Sequence, residues 1–372
     1  MSKLSLASQI IGEKRYQSLV LFGLQERTFL RLIAAFLVIA DVFYPYPKIA
    51  MWIGFMFAGY SAIANDSIQT IGTFIASNGD KKWWILWLYI GGIFVFTVTY
   101  SWYTYDGDVS FQRLTSKGFE EAPTSFHFLQ IAAPLVLLLI TRLRMPVSTT
   151  FMLLSCFSAS ASGIVGVAEK SLLGYGLSFI VAMAVWYLAA GLINRLTTGE
   201  PHPFWTVAQW IISGWLWSLW ITHDAANIAI FLERSLTFWD FVLFTSFIFF
   251  GLGILFYLRG DKIQKIVTEK SAVVDVRAAS VIDLVYAFIL FVFKEWSNIP
   301  MSTTWIFLGL LGGRELAMQL SKKAETNRSM AGTVRMILRD IMFATIGLII
   351  SILIAIAVND TLQGELKAYF GW

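Results

Sequence analysis

The chain has 372 residues, of which 57% are apolar and only 14% are charged, and its mean hydropathy is +0.67. This composition excludes a water-soluble globular protein, because too few polar residues remain to cover its surface. The formal charge of +4 is typical of a membrane protein with basic cytoplasmic loops, so we expect a lipid bilayer as its surrounding and no nucleic-acid partner. Cys156 is the single cysteine, which excludes an intramolecular disulfide.

Charged residues alternate with short apolar stretches over residues 1–27, which predicts a cytoplasmic amphipathic segment without a cleavable signal peptide. Beyond it, apolar stretches recur that are long enough to cross a hydrocarbon core of ~30 Å. They predict an all-α polytopic membrane protein with about eleven transmembrane segments, at 28–45, 48–76, 83–103, 126–143, 146–168, 171–193, 205–232, 239–258, 279–294, 297–320 and 333–357.

The distribution of Lys and Arg predicts the orientation of these segments, since basic residues stay preferentially on the cytoplasmic side. The connection 259–278 carries five of them and is cytoplasmic if the N-terminus is cytoplasmic and every segment crosses once. We therefore expect a multi-pass protein of the cell (inner) membrane, with both P-x-S-T-T segments described below reaching across.

Two predicted segments carry an aspartate within a polar stretch: "AIANDSIQT" at 62–70 and "ITHDAANIA" at 221–229. A carboxylate at mid-membrane costs at least ~2.5 kcal/mol, so it needs a partner or a wet cavity. Side-chain oxygens clustered there suit Na⁺ as a coupling ion, although an aspartate that is only paired or hydrogen-bonded is the alternative. The candidate cation ligands are Asn65, Asp66, Gln69, Asp224 and Asn227, and His223 is a candidate gate or proton relay.

Two further segments share the order P-x-S-T-T, as "PVSTT" at 146–150 and "PMSTT" at 300–304. Proline is well tolerated at the first helical position, so each predicts a helix start inside the membrane. Free N–H groups and hydroxyls at such a start favour an anion pocket without fixed positive charge. For a single copy, hydroxyls bonded back to their own helix would be the better explanation, but two copies favour a site. The candidate ligands are Ser148, Thr149, Thr150, Ser302, Thr303 and Thr304.

The order of these motifs is repeated, because each aspartate stretch precedes a P-x-S-T-T segment by two ordinary predicted segments. An odd number of crossings separates the two aspartate stretches, which predicts two inverted-topology repeats. The long segments 48–76 and 205–232 are expected to be steeply tilted or broken. The predicted units are an N-terminal amphipathic segment with a peripheral span (1–47), repeat 1 (48–193), repeat 2 (205–357) and a C-terminal tail (358–372).

These four motifs resemble those of the inorganic phosphate transporter (PiT) family, whose halves each carry a G-x-N-D-x-A-N-like and a P-V-S-T-T-H-like segment. The resemblance implies a compact core around a mid-membrane substrate, usually phosphate, carried with Na⁺ or H⁺. It implies that the six Ser and Thr residues contact the oxyanion, and that Asn65, Asp66, Asp224 and Asn227 serve the ions and the gate. Phe151 and Trp305 stand where the family motif has histidine.

The leading hypothesis is a Na⁺-coupled symporter of an inorganic oxyanion, with phosphate first. An H⁺-coupled transporter, or one for another anion such as sulfate, is the nearest alternative, and a passive anion channel is an alternative of another class. We expect no enzyme, since no nucleophile elbow, phosphate loop or paired metal ligands accompany these residues. The sequence leaves the oligomeric state open, and a homodimer is compatible with it.

Overall fold

The computed structural model describes residues 26–115, 119–143, 145, 147–158, 161–197, 199–258, 275–296, 300–321 and 329–370. Within these ranges the regular structure is entirely helical. Five described helices are long and apolar enough to cross a membrane, at Trp83–Thr104, Ala161–Leu188, Phe238–Tyr257, Val276–Trp296 and Met330–Val358. The prediction of a helical, multi-pass membrane protein is thereby confirmed in this coarser form. The predicted amphipathic segment lies outside the described residues up to residue 25, as does most of the basic connection 259–278.

The helices follow most of the predicted segments within a few residues. The first group is α1 (Arg27–Phe43), α2 (Pro47–Ser61), α3 (Ser67–Ser77), α4 (Trp83–Thr104), α5 (Phe128–Arg142), α6 (Thr149–Leu154) and α7 (Ala161–Thr197). The second group is α8 (Phe204–Ala229), α9 (Phe238–Tyr257), α10 (Val276–Trp296), α11 (Thr303–Ser321), α12 (Met330–Val358) and α13 (Asp360–Phe370).

The helix over residues 47–77 is distorted in its middle. Pro47 occupies the first turn of α2, and a π-helical turn at Ala62–Asp66 separates α2 from α3. The Ser67 hydroxyl donates to the Ile63 carbonyl at 2.6 Å, a back-bond that competes with the regular helical ladder. Such π turns are frequent at functional sites. The π turn distorts this helix without breaking it, and α8 continues without a break to Ala229, so neither long segment is broken, and their tilt stays a prediction.

The first P-x-S-T-T segment does not cross as the sequence predicts for 146–168. Helix α6 has only six residues and is followed by a 3₁₀ turn at Ser155–Phe157, before α7 begins at Ala161. Six residues advance about 9 Å, far short of the ~30 Å of a bilayer core. The Gln130 amide at the start of α5 donates to the Cys156 carbonyl at 2.8 Å. The 3₁₀ turn behind α6 therefore lies beside the start of α5, so the chain returns through α6 to the level at which α5 begins.

The second P-x-S-T-T segment leads into α11, which packs closely along α7. The Ser302 N–H donates to the Ser171 hydroxyl at 2.8 Å, and further along the pair Gly309 and Gly313 lie against the backbone of Tyr175 and Phe179. This is the most extensive contact between two described helices. Helix α6 packs on α12 in the corresponding way, so each helix behind a P-x-S-T-T motif contacts the last long helix of the other predicted half.

The close approach of α7 and α11 should depend on Gly313. A Cβ placed there would collide with the Phe179 carbonyl group, because the contacting atoms belong to the backbone of α7 and cannot move independently. We expect Gly313→Ala to destabilise the protein by about 1–3 kcal/mol, measured by thermal unfolding in detergent. Gly312→Ala is the matched control, since the nearest atoms to its Cβ would be side-chain atoms, those of the Phe179 ring at 3.3 Å and Ile337 Cγ1 at 3.5 Å. Equal losses in both variants would contradict the proposed backbone contact.

Candidate functional site

Two aspartates and two threonines from four distant parts of the chain meet inside the helical bundle. Thr149 is the first residue of α6, and its hydroxyl donates to the Asp66 carboxylate in the π turn. Thr303 is the first residue of α11, and its side chain lies against the carboxyl group of Asp224 in α8. Asp66 and Asp224 also interact electrostatically. All four side chains are only 2% exposed, and we call Asp66, Thr149, Asp224 and Thr303 the central cluster.

Two amide side chains connect the predicted halves at the edge of the central cluster. Asn227 Nδ2 donates to Asp224 Oδ1 at 2.6 Å and to the Thr150 hydroxyl at 3.2 Å. Gln69 Nε2 donates to the Thr304 hydroxyl at 3.3 Å. Each amide lies three residues after its aspartate and reaches the second threonine of the other half. The structure therefore brings eight of the twelve predicted site residues together.

The two serines of the P-x-S-T-T motifs act as helix caps. Ser148 Oγ accepts from the Phe151 N–H and Ser302 Oγ from the Trp305 N–H, both at 3.2 Å. The helices therefore begin at the first threonine and not at the proline as predicted, because serine is a preferred N-cap residue. Pro300 lies ahead of α11, and Pro146 lies outside the described residues. One N–H of each first turn is consequently satisfied within its own helix.

Asn65 and His223 are buried next to the central cluster but bond elsewhere. The Asn65 amide donates to the Ser61 hydroxyl one turn earlier at 3.4 Å. His223 Nε2 lies 3.0 Å from the Leu290 carbonyl of α10. A carbonyl only accepts, so Nε2 carries the proton of the neutral ring and Nδ1 presents a lone pair. This contact joins α8 to α10, and the gating or proton-relay role of His223 stays a prediction.

Three buried oxygen atoms of the predicted cation ligands have no hydrogen-bond partner within the described part of the chain. They are Gln69 Oε1, Asp224 Oδ2 and Asn227 Oδ1. Since more than about 90% of buried polar groups in proteins are hydrogen-bonded, three such acceptors on residues of the central cluster and its edge call for a physical reason. All three are oxygen acceptors, so a bound cation would satisfy them.

A buried arginine lies beside the site. The sequence-based prediction of an anion pocket without fixed positive charge is therefore wrong. Arg113 belongs to a 3₁₀ turn in the connection between α4 and α5, and its Nε donates to the Thr222 carbonyl at 2.6 Å. It is 2% exposed and interacts electrostatically with Asp224. Burial lowers the pKa of Arg113 to about 10, although Asp224 opposes this shift, so the guanidinium stays charged at neutral pH. The buried Lys170 of α7 lies within electrostatic range of Arg113.

The backbone of the α4–α5 connection explains how Arg113 reaches this depth. Gly107 has a φ of +96°, and its carbonyl accepts from the Leu236 N–H at 2.9 Å. Phe111 and Gln112 adopt φ values of +55° and +59°, which turn the chain inward just before Arg113. Arg234 holds the same connection by donating to the Glu121 carbonyl at 2.7 Å. These contacts fold the connection over the end of α8.

Phe151 and Trp305 occupy equivalent positions in the two motifs and contact each other. Their ring centroids are 5.2 Å apart at an interplanar angle of 49°, and both side chains are buried. An aromatic pair therefore stands beside the central cluster at the positions where the PiT motif has histidine.

The contacts from Asn227 should stabilise the junction between the two predicted halves. We expect Asn227→Leu to destabilise the protein by about 1–3 kcal/mol, because it leaves a buried carboxylate without one of its donors. Gln69→Leu should cost less, since the bond from Gln69 to Thr304 is longer and ends on a neutral hydroxyl. Thermal unfolding of Asn227→Leu, Thr150→Val and the double variant measures their coupling, and strictly additive losses would contradict the contact.

Comparison with known proteins identifies no relative: no family model matches the chain, and it has no significant match among curated proteins or solved structures. What the fold and site define is a helical membrane protein with a buried polar cluster. The resemblance to the PiT family is carried by the four short motifs alone and stays a prediction.

Proposed function

We propose that the protein is a secondary active transporter that moves an inorganic oxyanion, phosphate first, together with Na⁺. The observation that carries the proposal is the convergence of Asp66, Thr149, Asp224 and Thr303 at one buried place. Each predicted half supplies one aspartate and one threonine, at equivalent positions of its two motifs. Their convergence is what a site shared by two repeats would require.

The proposed topology has two inverted halves. In the first half the pair α5–α6 is re-entrant, whereas in the second half α10 is long enough to cross and the chain returns through α11. With the helices at 27–43, 47–77, 83–104, 161–197, 204–229, 238–257 and 330–358, the proposal has nine crossings in place of eleven. Six of these crossings separate the N-terminus from the basic connection 259–278, so both lie on one side of the membrane. That side is cytoplasmic by the distribution of Lys and Arg.

The acceptor oxygens of Gln69, Asp224 and Asn227 support a Na⁺ site. Each is buried and lacks a protein donor among the described residues, and hard oxygen atoms are the ligands that such cations prefer. A cation there would also offset the repulsion between the Asp66 and Asp224 carboxylates. Cation binding would thus satisfy the unpaired oxygens and reduce the repulsion between the two carboxylates.

The opposite charge beside the cluster supports an anion as the co-transported substrate. Thr149 and Thr303 lie at helix starts, and Arg113 adds a buried positive charge that interacts with Asp224. Hydroxyls, a helix N-terminus and a guanidinium are the donors that oxyanions commonly find in proteins. Binding of anion and cation next to each other would make each favourable for the other, which is what coupling requires.

Uptake by purified protein in liposomes tests the proposal. Labelled phosphate should accumulate above its equilibrium level only when an inward Na⁺ gradient is imposed, with choline replacing Na⁺ as the control. Parallel arms use labelled sulfate and an inward H⁺ gradient, and thereby separate the alternative substrate and the alternative coupling ion. Uptake that never exceeds equilibrium would instead indicate a passive channel, and no uptake of either anion under either gradient would overturn the proposal.

A further inference from the structure

A third aspartate lies buried in the helical bundle outside the central cluster. Asp283 of α10 is 2% exposed, and its two oxygens accept from the hydroxyls of Thr73 in α3 at 2.7 Å and of Ser213 in α8 at 2.6 Å. Both hydroxyl residues are buried as well. Three helices therefore direct one carboxylate and two hydroxyls to a single point.

A structural role alone does not explain a carboxylate at this place. An ionised side chain in the interior of a membrane protein costs at least ~2.5 kcal/mol, whereas an amide or hydroxyl could join three helices at lower cost. Within the described residues, Asp283 forms no ion pair with Lys or Arg, so two neutral hydroxyls are its only hydrogen-bond partners there. A cation bound there would neutralise the ionised carboxylate without a Lys or Arg partner.

Buried polar groups connect Asp283 with the central cluster and with one face of the membrane. Thr73 follows Gln69 by one turn of α3, so the two side chains lie on the same side of that helix. Beyond Asp283, Gln209 bonds to Ser77 and accepts from the Asn78 amide at 3.0 Å. Asn78 is followed by the exposed residues 79–82. Polar side chains therefore line the interface of α3 and α8 from the cluster to the face where α3 ends.

We propose that Asp283, Thr73 and Ser213 form a second cation site, through which Na⁺ passes between the central cluster and that face of the membrane. The inference rests on the proposed function for the identity of the ion. Serine and threonine in helices can donate to a carbonyl one turn earlier, which would turn their oxygens toward the ion as ligands. The ion would then meet one carboxylate and two hydroxyl oxygens, a set suited to a small hard cation.

Thermal unfolding of the purified protein in detergent tests this site without any anion present. NaCl is titrated against choline chloride at constant ionic strength. Asp283→Asn should raise the Na⁺ concentration for half-maximal stabilisation at least tenfold. Asp41→Asn is the control, since Asp41 is an exposed aspartate in α1, and should respond like the wild type. An unchanged Na⁺ response of Asp283→Asn, or a wild type that does not respond to Na⁺, would overturn the inference.

Milder variants keep the test decisive if Asp283→Asn does not fold. Ser213→Ala and Thr73→Val retain the carboxylate and remove one ligand each, so each should weaken the Na⁺ response by a smaller factor. Wild-type Na⁺ responses in both would overturn the site. Failure of the proposed function is distinguishable, because the wild type would then bind Na⁺ but accumulate no anion. If Asp283→Asn accumulates anion with the Na⁺ dependence of the wild type, only the second site is contradicted and the proposed function stands.

Discussion

Asp66→Asn and Asp224→Asn are each expected to abolish anion accumulation at the Na⁺ concentration that half-saturates the wild type, while leaving the protein folded. Asparagine preserves the size of the side chain and can still accept from Thr149 or Asn227, but it removes the charge that would hold the cation. Losing one charged interaction costs roughly 1.5–3 kcal/mol, which corresponds to about 10- to 150-fold in Na⁺ affinity. Both carboxylates lie in the central cluster and interact electrostatically, so they can act on one ion.

The two variants should differ in degree, and the difference identifies the ligand. Asp224 Oδ2 has no hydrogen-bond partner among the described residues, whereas Thr149 donates to Asp66 Oδ2. Asp224→Asn should therefore raise the Na⁺ requirement more than Asp66→Asn. Initial uptake rates measured against Na⁺ concentration provide the comparison, with Asp41→Asn as the control. Wild-type Na⁺ dependence in both variants would remove these aspartates from the cation site.

The motifs of the central cluster are visible in the sequence because polar residues stand out within apolar segments. Asp66 and Asp224 cannot be left in lipid without partners, and the repeated P-x-S-T-T order indicates a shared polar site. The structure places Thr149 and Thr303, which are predicted oxyanion ligands, against the two carboxylates, and oxyanion binding stays a prediction. Motifs of this kind can be recognised from the sequence without knowledge of the tertiary fold.

The path of the chain around the cluster could not be predicted in the same way. Hydropathy reports that 146–168 is apolar, but a segment that returns to its starting face is as apolar as one that crosses. The bond between Gln130 and Cys156, which reveals the return, is a tertiary contact. By contrast, the capping role of Ser148 and Ser302 has a local signal, since a serine just before a helical apolar stretch is the usual N-cap.

Arg113 was hidden from sequence reasoning because it lies in a polar connection between predicted segments. Its burial depends on the backbone turns at Gly107, Phe111 and Gln112 and on the contact with the Thr222 carbonyl. Basic residues in such connections are ordinarily solvated or at the membrane surface. Only the tertiary fold brings this guanidinium next to Asp224.

Arg113→Gln is expected to move the affinities for the two transported ions in opposite directions. Removing a buried positive charge takes a donor from the oxyanion, and at roughly 1.5–3 kcal/mol per charged hydrogen bond the KM for phosphate should rise at least about tenfold. The same change relieves Asp224 of a neighbouring cation, so the Na⁺ concentration for half-maximal uptake should fall. Arg113→Lys keeps the charge and should restore part of the phosphate affinity.

Phosphate and Na⁺ titrations of uptake measure both effects in one preparation, and Arg234→Gln provides the matched control. Arg234 supports the same α4–α5 connection by donating to the Phe119 and Glu121 carbonyls. Its electrostatic partners are Asp108 and Glu233 and do not include Asp224. If Arg113 only supported the connection, both variants would lower stability and weaken both ions together. Arg113→Gln should raise the KM for phosphate and lower the Na⁺ concentration for half-maximal uptake, whereas Arg234→Gln should do neither. That outcome would show that the Arg113 guanidinium lies beside the anion and competes electrostatically with the cation.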